Sequence, residues 1–173
     1  MSETLSESIY IRPATLSDAE GIAQVHIRAW QESYKHIFPE KYLQSLSYPT
    51  RLEFRQKMFA EPLPRELHLV AIEGAQVVGF CDAGPRNSPE SSEPGEIYAI
   101  YLLESHKNHG IGTKLMDMVH AFLVERELTP YVVWVLEDNI AACRFYEFRG
   151  GKSAHVRYDC RGLKAKVLGY VFE

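Results

Sequence analysis

Apolar and polar positions change their period several times along the chain, and each change predicts a new element. "IYIRPA" is a short extended run that Pro13 ends. In "TLSDAEGIAQVHIRAWQESY" the spacing turns helical. Ile22, Val25, His26, Ala29 and Trp30 share one face, Thr15 or Ser17 serves as the cap, and Asp18 and Glu20 fall in the first turn. "FPEKYLQSLS" and "PTRLEFRQKMF" predict two shorter helices, each with a proline near its start. "LHLVAIEGAQVVGFCDA" predicts a hairpin of two apolar strands turning at Glu73-Gly74, and the polar segment 84–95, with three prolines, predicts a mobile loop. "EIYAIYLL" and "YVVWVL" are apolar strands on either side of a helix over 111–126, whose apolar face is Ile111, Leu115, Met118, Val119, Phe122 and Leu123. "NIAACRFYEFRG" is a helix closed by Gly150-Gly151, and "KSAHVRYDC" and "KAKVLGYVF" are two terminal strands joined at Arg161-Gly162.

Strands 96–103 and 131–136 flank a helix as in a parallel crossover, and both are apolar throughout, so both of their faces are covered. The hairpins at either end point to antiparallel pairing there. The fold class is therefore α/β in the broad sense, an α+β arrangement on a central mixed sheet. Residues 1–8 read as a flexible tail and 9–173 as one domain, since no repeat or linker divides them.

Composition narrows the function. The chain has 173 residues and a net charge of −4, without the basic excess of a generic nucleic-acid binder. No apolar run approaches the roughly 18 residues that cross a bilayer. Cys81, Cys143 and Cys160 are odd in number, lack CxxC spacing and follow a polar start with no secretory segment, which suits reduced thiols in the cytoplasm.

The chemistry centres on "ESHKNHGIGTKLM", where Gly110 and Gly112 stand at the start of a helix. A helix N-terminus offers backbone N–H groups with no intrahelical partner and a partial positive charge, which together attract phosphate. Lys107 and His109 add positive character and Thr113 a hydroxyl. A Walker A loop would need lysine directly after Gly112, and the dinucleotide fingerprint would need Gly or Ala where Leu115 stands, so both fail. Taken alone, the Gly-x-Gly is either a tight turn or an anion site. His106-x-x-His109 has no further ligands nearby, and no metal is expected.

The context selects between them. "IYAIYLLESHKNHGIGTKLM" is similar to motif A of the GCN5-related N-acetyltransferases, the GNAT superfamily, with Lys107, Gly110 and Gly112 at its three marked positions. "VWVLEDNIAACRFYEFRGG" resembles motif B, with Asn139, Ala142, Phe145, Tyr146, Glu147 and Gly150 in its places. Two positions depart from the pattern: Lys107 replaces the usual Gln or Arg, and Arg149-Gly150-Gly151 replaces Leu-Gly-Phe. The resemblance implies a GNAT fold with a splayed parallel strand pair, and acetyl-coenzyme A as co-substrate. Its pyrophosphate would lie on the amides of Asn108, His109, Gly110, Ile111, Gly112 and Thr113. Its pantetheine arm would run beside Ile100, Tyr101 and Leu102, and Asn139, Ala142, Phe145 and Tyr146 would complete that side.

For acyl transfer the resemblance implies Tyr146 as the acid at the departing sulfur. Glu96, at the start of the thioester strand, is the first candidate for the base and Glu137 the second. The aromatic cluster Trp30, Tyr34, Phe38 would border the acceptor. The implied activity is transfer of an acetyl group to a primary amine of a small molecule or peptide by direct attack on the thioester. The alternative is a GNAT-fold module that holds acyl-CoA without turnover. The family's habits also imply a homodimer formed through sheet edges or terminal strands, and neither nucleic acid nor membrane is an expected partner.

Overall fold

In the computed structural model, which describes residues 8–158 and 164–173, the chain runs β1 (Tyr10–Pro13), a 3-10 turn (Leu16–Asp18), α1 (Ala19–Tyr34), α2 (Glu40–Gln44), α3 (Tyr48–Ala60), β2 (Leu67–Glu73), β3 (Gln76–Pro85), β4 (Gly95–Leu102), a second 3-10 turn (Glu104–His106), α4 (Ile111–Glu125), β5 (Tyr131–Leu136), α5 (Ile140–Phe148), β6 (Lys152–Tyr158) and β7 (Lys166–Phe172). The turn expected at Arg161-Gly162, and Cys160, lie outside the described residues. Among the described residues the strands form one seven-stranded sheet in the order β1-β2-β3-β4-β5-β7-β6. β4 and β5 are parallel, and every other neighbouring pair is antiparallel.

The sequence order does not reveal that β7 inserts between β5 and β6. The side chains explain it. "KVLGYVF" is largely buried and suits an interior place, whereas "KSAHVRY" is largely exposed and carries charge, which suits an edge.

α4 covers one face of the sheet with Ile111, Leu115, Met116, Val119 and Leu123, all buried. Met118, expected on this face, is 39% exposed. It falls at the rim of the stripe, and Met116 closes the opposite margin. Each fully buried leucine here is worth about 1.5–3 kcal/mol.

α1 and α3 cover the other face. The start of α1 is tied down by Asp18, whose carboxylate takes both Arg12 guanidinium nitrogens of β1 (2.7 and 2.8 Å) and the Thr15 N–H (2.8 Å). α3 is pinned by a buried ion pair. Arg55, 2% exposed, donates to Asp82 at 2.9 Å and lies 4.6 Å from the Phe80 ring centroid, while His68 Nδ1 sits 2.8 Å from the same carboxylate oxygen.

The segment between β3 and β4, expected as a mobile loop, is packed down. Ser88, Ser91 and Glu93 are buried. Glu96 Oε2 accepts from Asn87 N–H, Ser88 N–H and Ser88 Oγ–H at 2.8, 2.8 and 2.9 Å. Glu93 pairs with His155 of β6, and the Trp134 indole N–H donates to Ser88 Oγ at 2.9 Å. Its polarity marks a strap held by hydrogen bonds, because a polar segment can be buried once its groups are paired.

β4 and β5 pair for three residues only, Gly95–Ile97 against Tyr131–Val133. Beyond this, β4 follows β3 through a register shift between Asp82 and Ala83, and β5 follows β7. The shift leaves Tyr98 as an extra residue of β4, which bends and twists that strand away from its parallel neighbour. The fork between them opens into the sheet's interior, and it carries the site.

Candidate functional site

The fork opens a cleft of about 470 Å³. One wall is β4 from Ile97 to Leu102, and the other is Val133–Val135 of β5 with the first turns of α5. β4 backbone groups that a strand neighbour would pair with border this space, and such groups need partners.

At the mouth lies the glycine turn. Gly110 is the N-cap of α4 and adopts φ 78°, in the left-handed region where glycine is favoured. A Cβ built there would meet nothing within 4 Å, so the space above it is open. Gly112 differs, because a Cβ there would come within 3.3 Å of Phe145 Cζ and 3.7 Å of Leu102 Cδ1. Gly110 thus supplies the turn and the open cradle, and Gly112 lets α4 approach α5. Lys107 reaches back across the turn, donating to Glu104 Oε2 at 2.6 Å and Ser33 Oγ at 3.1 Å. It therefore ties the turn to α1.

The expected cofactor residues Ile100, Tyr101, Leu102, Lys107, Asn108, Gly110, Gly112, Thr113, Asn139, Ala142, Phe145 and Tyr146 all line this one cleft. His109 and Ile111 do not. They line a separate groove beside Tyr10, Glu73 and Lys114, so only their backbones can serve the turn. His106 is held by Glu73 at 3.1 Å and forms no pair with His109.

Asn139 caps α5, its Oδ1 accepting the Ala142 N–H at 3.3 Å. This cap sets the direction of the helix that carries Phe145 and Tyr146. Tyr146 is 5% exposed, with its ring against Phe145 (5.5 Å) and Tyr170 (5.8 Å). Burial, and next to it the nearby Tyr101, push its phenol well above the usual range.

Tyr34 of the aromatic cluster lines the cleft, while Trp30 and Phe38 pack behind it at ring distances of 4.9 and 5.6 Å. The expected base, Glu96, is not on the cleft wall, which begins at Ile97. It is 7% exposed and its Oε2 anchors the strap. Glu137 pairs with Lys166 at 2.7 Å near the surface.

Sequence reasoning missed Ser33, Tyr98, Glu104, Trp134 and Phe148 on the cleft wall. Phe148 left a trace, as the last aromatic of "FYEF", turned off the buried face and 85% exposed. Tyr98 and Trp134 left none, because an aromatic inside an apolar strand reads as core.

Comparison with known proteins agrees with this geometry. Residues 27–150 match the sequence profile of the acetyltransferase (GNAT) family. YuaI of Bacillus subtilis, an uncharacterised N-acetyltransferase, is 32% identical over 161 residues, spanning 93% of this chain and 91% of that protein. The PaiA N-acetyltransferase of Thermoplasma acidophilum, solved in complex with coenzyme A, superposes with a TM-score of 0.75 at 20% identity, covering 95% of this chain and 99% of that one. YncA of Salmonella typhimurium, solved with acetyl-CoA, gives 0.71 at 17% identity, covering 96% and 94%. The two structural likenesses carry the fold: a mixed sheet split at a parallel pair and flanked by helices.

Proposed function

Because the chain belongs to the acetyltransferase (GNAT) family, we propose that it transfers an acetyl group from acetyl-coenzyme A to a primary amine of a small molecule or peptide, by direct attack on the thioester. The observation that carries the reading is the fork of β4 and β5 with the glycine turn at its mouth.

Three features fit the co-substrate. The first-turn amides of α4 face an open cradle at Gly110, suited to a pyrophosphate. The border of β4 beyond Ile97 offers an amide-bearing arm the hydrogen bonds of an added strand. Phe148, exposed at the rim, provides a face on which a purine ring would stack. The co-substrate supplies the activated acyl group, and this chain's residues bind it, orient it and direct protons.

Tyr146 is the donor proposed for the leaving sulfur. A thiolate has a reference pKa of about 8.5, well below that of a buried phenol, so Tyr146 stabilises it by hydrogen bonding rather than by full proton transfer. The acceptor amine must be neutral to attack. For a lysine-like amine at pH 7 this costs about 4–5 kcal/mol. Glu96 Oε2 already accepts three hydrogen bonds from the strap, and the residue lies off the cleft wall. We therefore assign Glu96 to holding the strap, with the amine losing its proton to water at the acceptor mouth. The buried thiols Cys81 and Cys143 suit a reducing compartment, the cytoplasm.

The test is a panel of primary amines assayed for free CoA release, beside titration calorimetry with acetyl-CoA. Release with at least one amine is expected, and Tyr146→Phe should lower kcat by about tenfold to a hundredfold with little change in CoA affinity. Binding without release for every amine would favour an acyl-CoA-holding module. Acetyl-CoA binding no tighter than that of an unrelated nucleotide would remove the reading.

A further inference from the structure

The strap between β3 and β4 directs three side chains at one residue of the cleft wall, Trp134 of β5. Ser88 takes the indole N–H at 2.9 Å. Glu90 and Glu93 hold β6 side chains that lie against the same indole: Glu90 pairs with Arg157 at 3.4 Å and Glu93 with His155 at 2.9 Å. The Arg157 guanidinium carbon is 4.2 Å from the indole ring centroid, and the His155 ring is 6.0 Å away. On the neighbouring strand β7, a Cβ built on Gly169 would come within 3.0 Å of Trp134 Cζ3. The six-membered ring therefore rests where any other residue would place a side chain.

The chemistry of the groups fixes the direction of the contact at Ser88. An indole nitrogen can only donate, and Glu96 Oε2 already takes two backbone N–H groups as an acceptor. Ser88 Oγ therefore accepts from Trp134 and gives its own proton to Glu96 Oε2, at 2.9 Å in each case. Ser88 is 6% exposed, so its hydroxyl is largely closed to water. The donors run Trp134 to Ser88 to Glu96, from the cleft wall to the anchor of the strap. Turning the indole away would leave its N–H and the Ser88 oxygen short of a partner, which is costly in a closed site.

Trp134 also packs against the aromatic cluster of Tyr34 and Phe38, the side of the cleft expected to border the acceptor. We infer that Ser88 is a positioning residue for the acceptor: acting through Trp134, it sets the tilt of the indole that the incoming amine meets, and with it the width of the cleft on the β5 side. The inference rests on the reading of the cleft as an acetyl-transfer site. A purely structural Ser88 would act through Glu96 alone and change stability without changing recognition.

Ser88→Ala removes both bonds of the hydroxyl, and Ser88→Thr keeps them. Trp30→Phe leaves Trp134 as the single tryptophan of the chain, so in that background the emission reports this indole alone. KM for the acceptor, KM for acetyl-CoA and kcat come from thiol release with the primary amines that the wild type turns over. In Ser88→Ala, KM for the acceptor should rise about threefold to tenfold, the worth of one neutral hydrogen bond, while KM for acetyl-CoA stays near wild type. The Trp134 emission should shift to longer wavelength and be quenched more readily by acrylamide. Ser88→Thr should restore both readings, and Ser88→Cys, a weaker donor and acceptor, should show the same pattern more mildly. In a Trp134→Phe background, which has no N–H to hold, Ser88→Ala should raise the acceptor KM no further. A wild-type acceptor KM in Ser88→Ala overturns the inference, whatever the melting temperature. So does an equal rise in both KM values, or a rise in the Trp134→Phe background as large as in wild type, since each marks a general structural effect. A wild type that binds acetyl-CoA but turns over no amine overturns the enzymatic reading instead. The emission then still decides whether Ser88 sets the indole, and an unchanged emission in Ser88→Ala overturns that too.

Discussion

Gly110 and Gly112 stand two residues apart and answer to different constraints, which makes them separable by the same substitution. At Gly110 the backbone is left-handed and the space open, so alanine meets strain rather than a clash. A non-glycine residue held in that region costs on the order of 1–2 kcal/mol, and Gly110→Ala should lower stability by about that much. At Gly112 the backbone is ordinary helix, where alanine gains up to about 1 kcal/mol in propensity. Its Cβ would press Phe145, however, which lines the cleft. Gly112→Ala is expected to keep wild-type stability within about 1 kcal/mol while weakening acetyl-CoA binding about tenfold or more. Denaturant melts beside calorimetry check both. Equal stability losses at the two sites would contradict this division. The sequence shows two glycines at a helix start, and only the packed structure shows that one faces space and the other faces Phe145.

At the scale of elements, the strap over 86–94 is the largest departure from the sequence reading. Its prolines, serines and glutamates have the composition of a free loop, and what pins it is Glu96 just beyond it together with Trp134 and His155 from strands distant in sequence. Glu96→Gln keeps an acceptor oxygen but loses the charge that strengthens its three bonds. As the strap's anchor, this variant should lose about 1–2 kcal/mol, or roughly 2–8 °C in melting temperature, while kcat/KM keeps its dependence on pH. Loss of the acidic limb of that profile, with an unchanged melting temperature, would return the base to Glu96. Helix α4 teaches a smaller lesson. Its apolar stripe was legible, but the stripe's margins depend on what the neighbouring strands cover, so Met116 is buried and Met118 is not.

At the scale of the whole molecule, the sequence revealed the elements and the two motifs because both are local. Helical spacing, a proline near a helix start and a glycine turn each lie within a few residues. What it could not reveal is pairing across the chain: the place of β7, the ion pair of Arg55 with Asp82, and the pair of Glu93 with His155. Global stability also carries a signature of one such contact. The hydrogen bonds from Arg12 hold the Asp18 carboxyl below its usual range, with burial opposing and the Thr15 N–H adding to the effect. A depressed folded-state pKa contributes stability that is present above the unfolded value of about 3.9 and is lost as pH falls through the lower, folded one. Thermal melts between about pH 3 and 6 should therefore drop less steeply at the acid end for Asp18→Asn than for wild type. Parallel acid limbs would mean that the pair contributes nothing.

The insertion of β7 between β5 and β6 has a kinetic consequence. β5 receives its antiparallel neighbour only after the chain has passed through α5 and β6, so pairing Leu136 with Val167 closes a loop of roughly 30 residues. Until then one wall of the fork is a bare strand edge, and the cleft has no fixed width. Contacts this distant in sequence form late and slow folding. Refolding should therefore show competence for ligand capture appearing with the last phase, after helical signal has returned, because the binding cleft is finished by a strand that arrives behind its own neighbour.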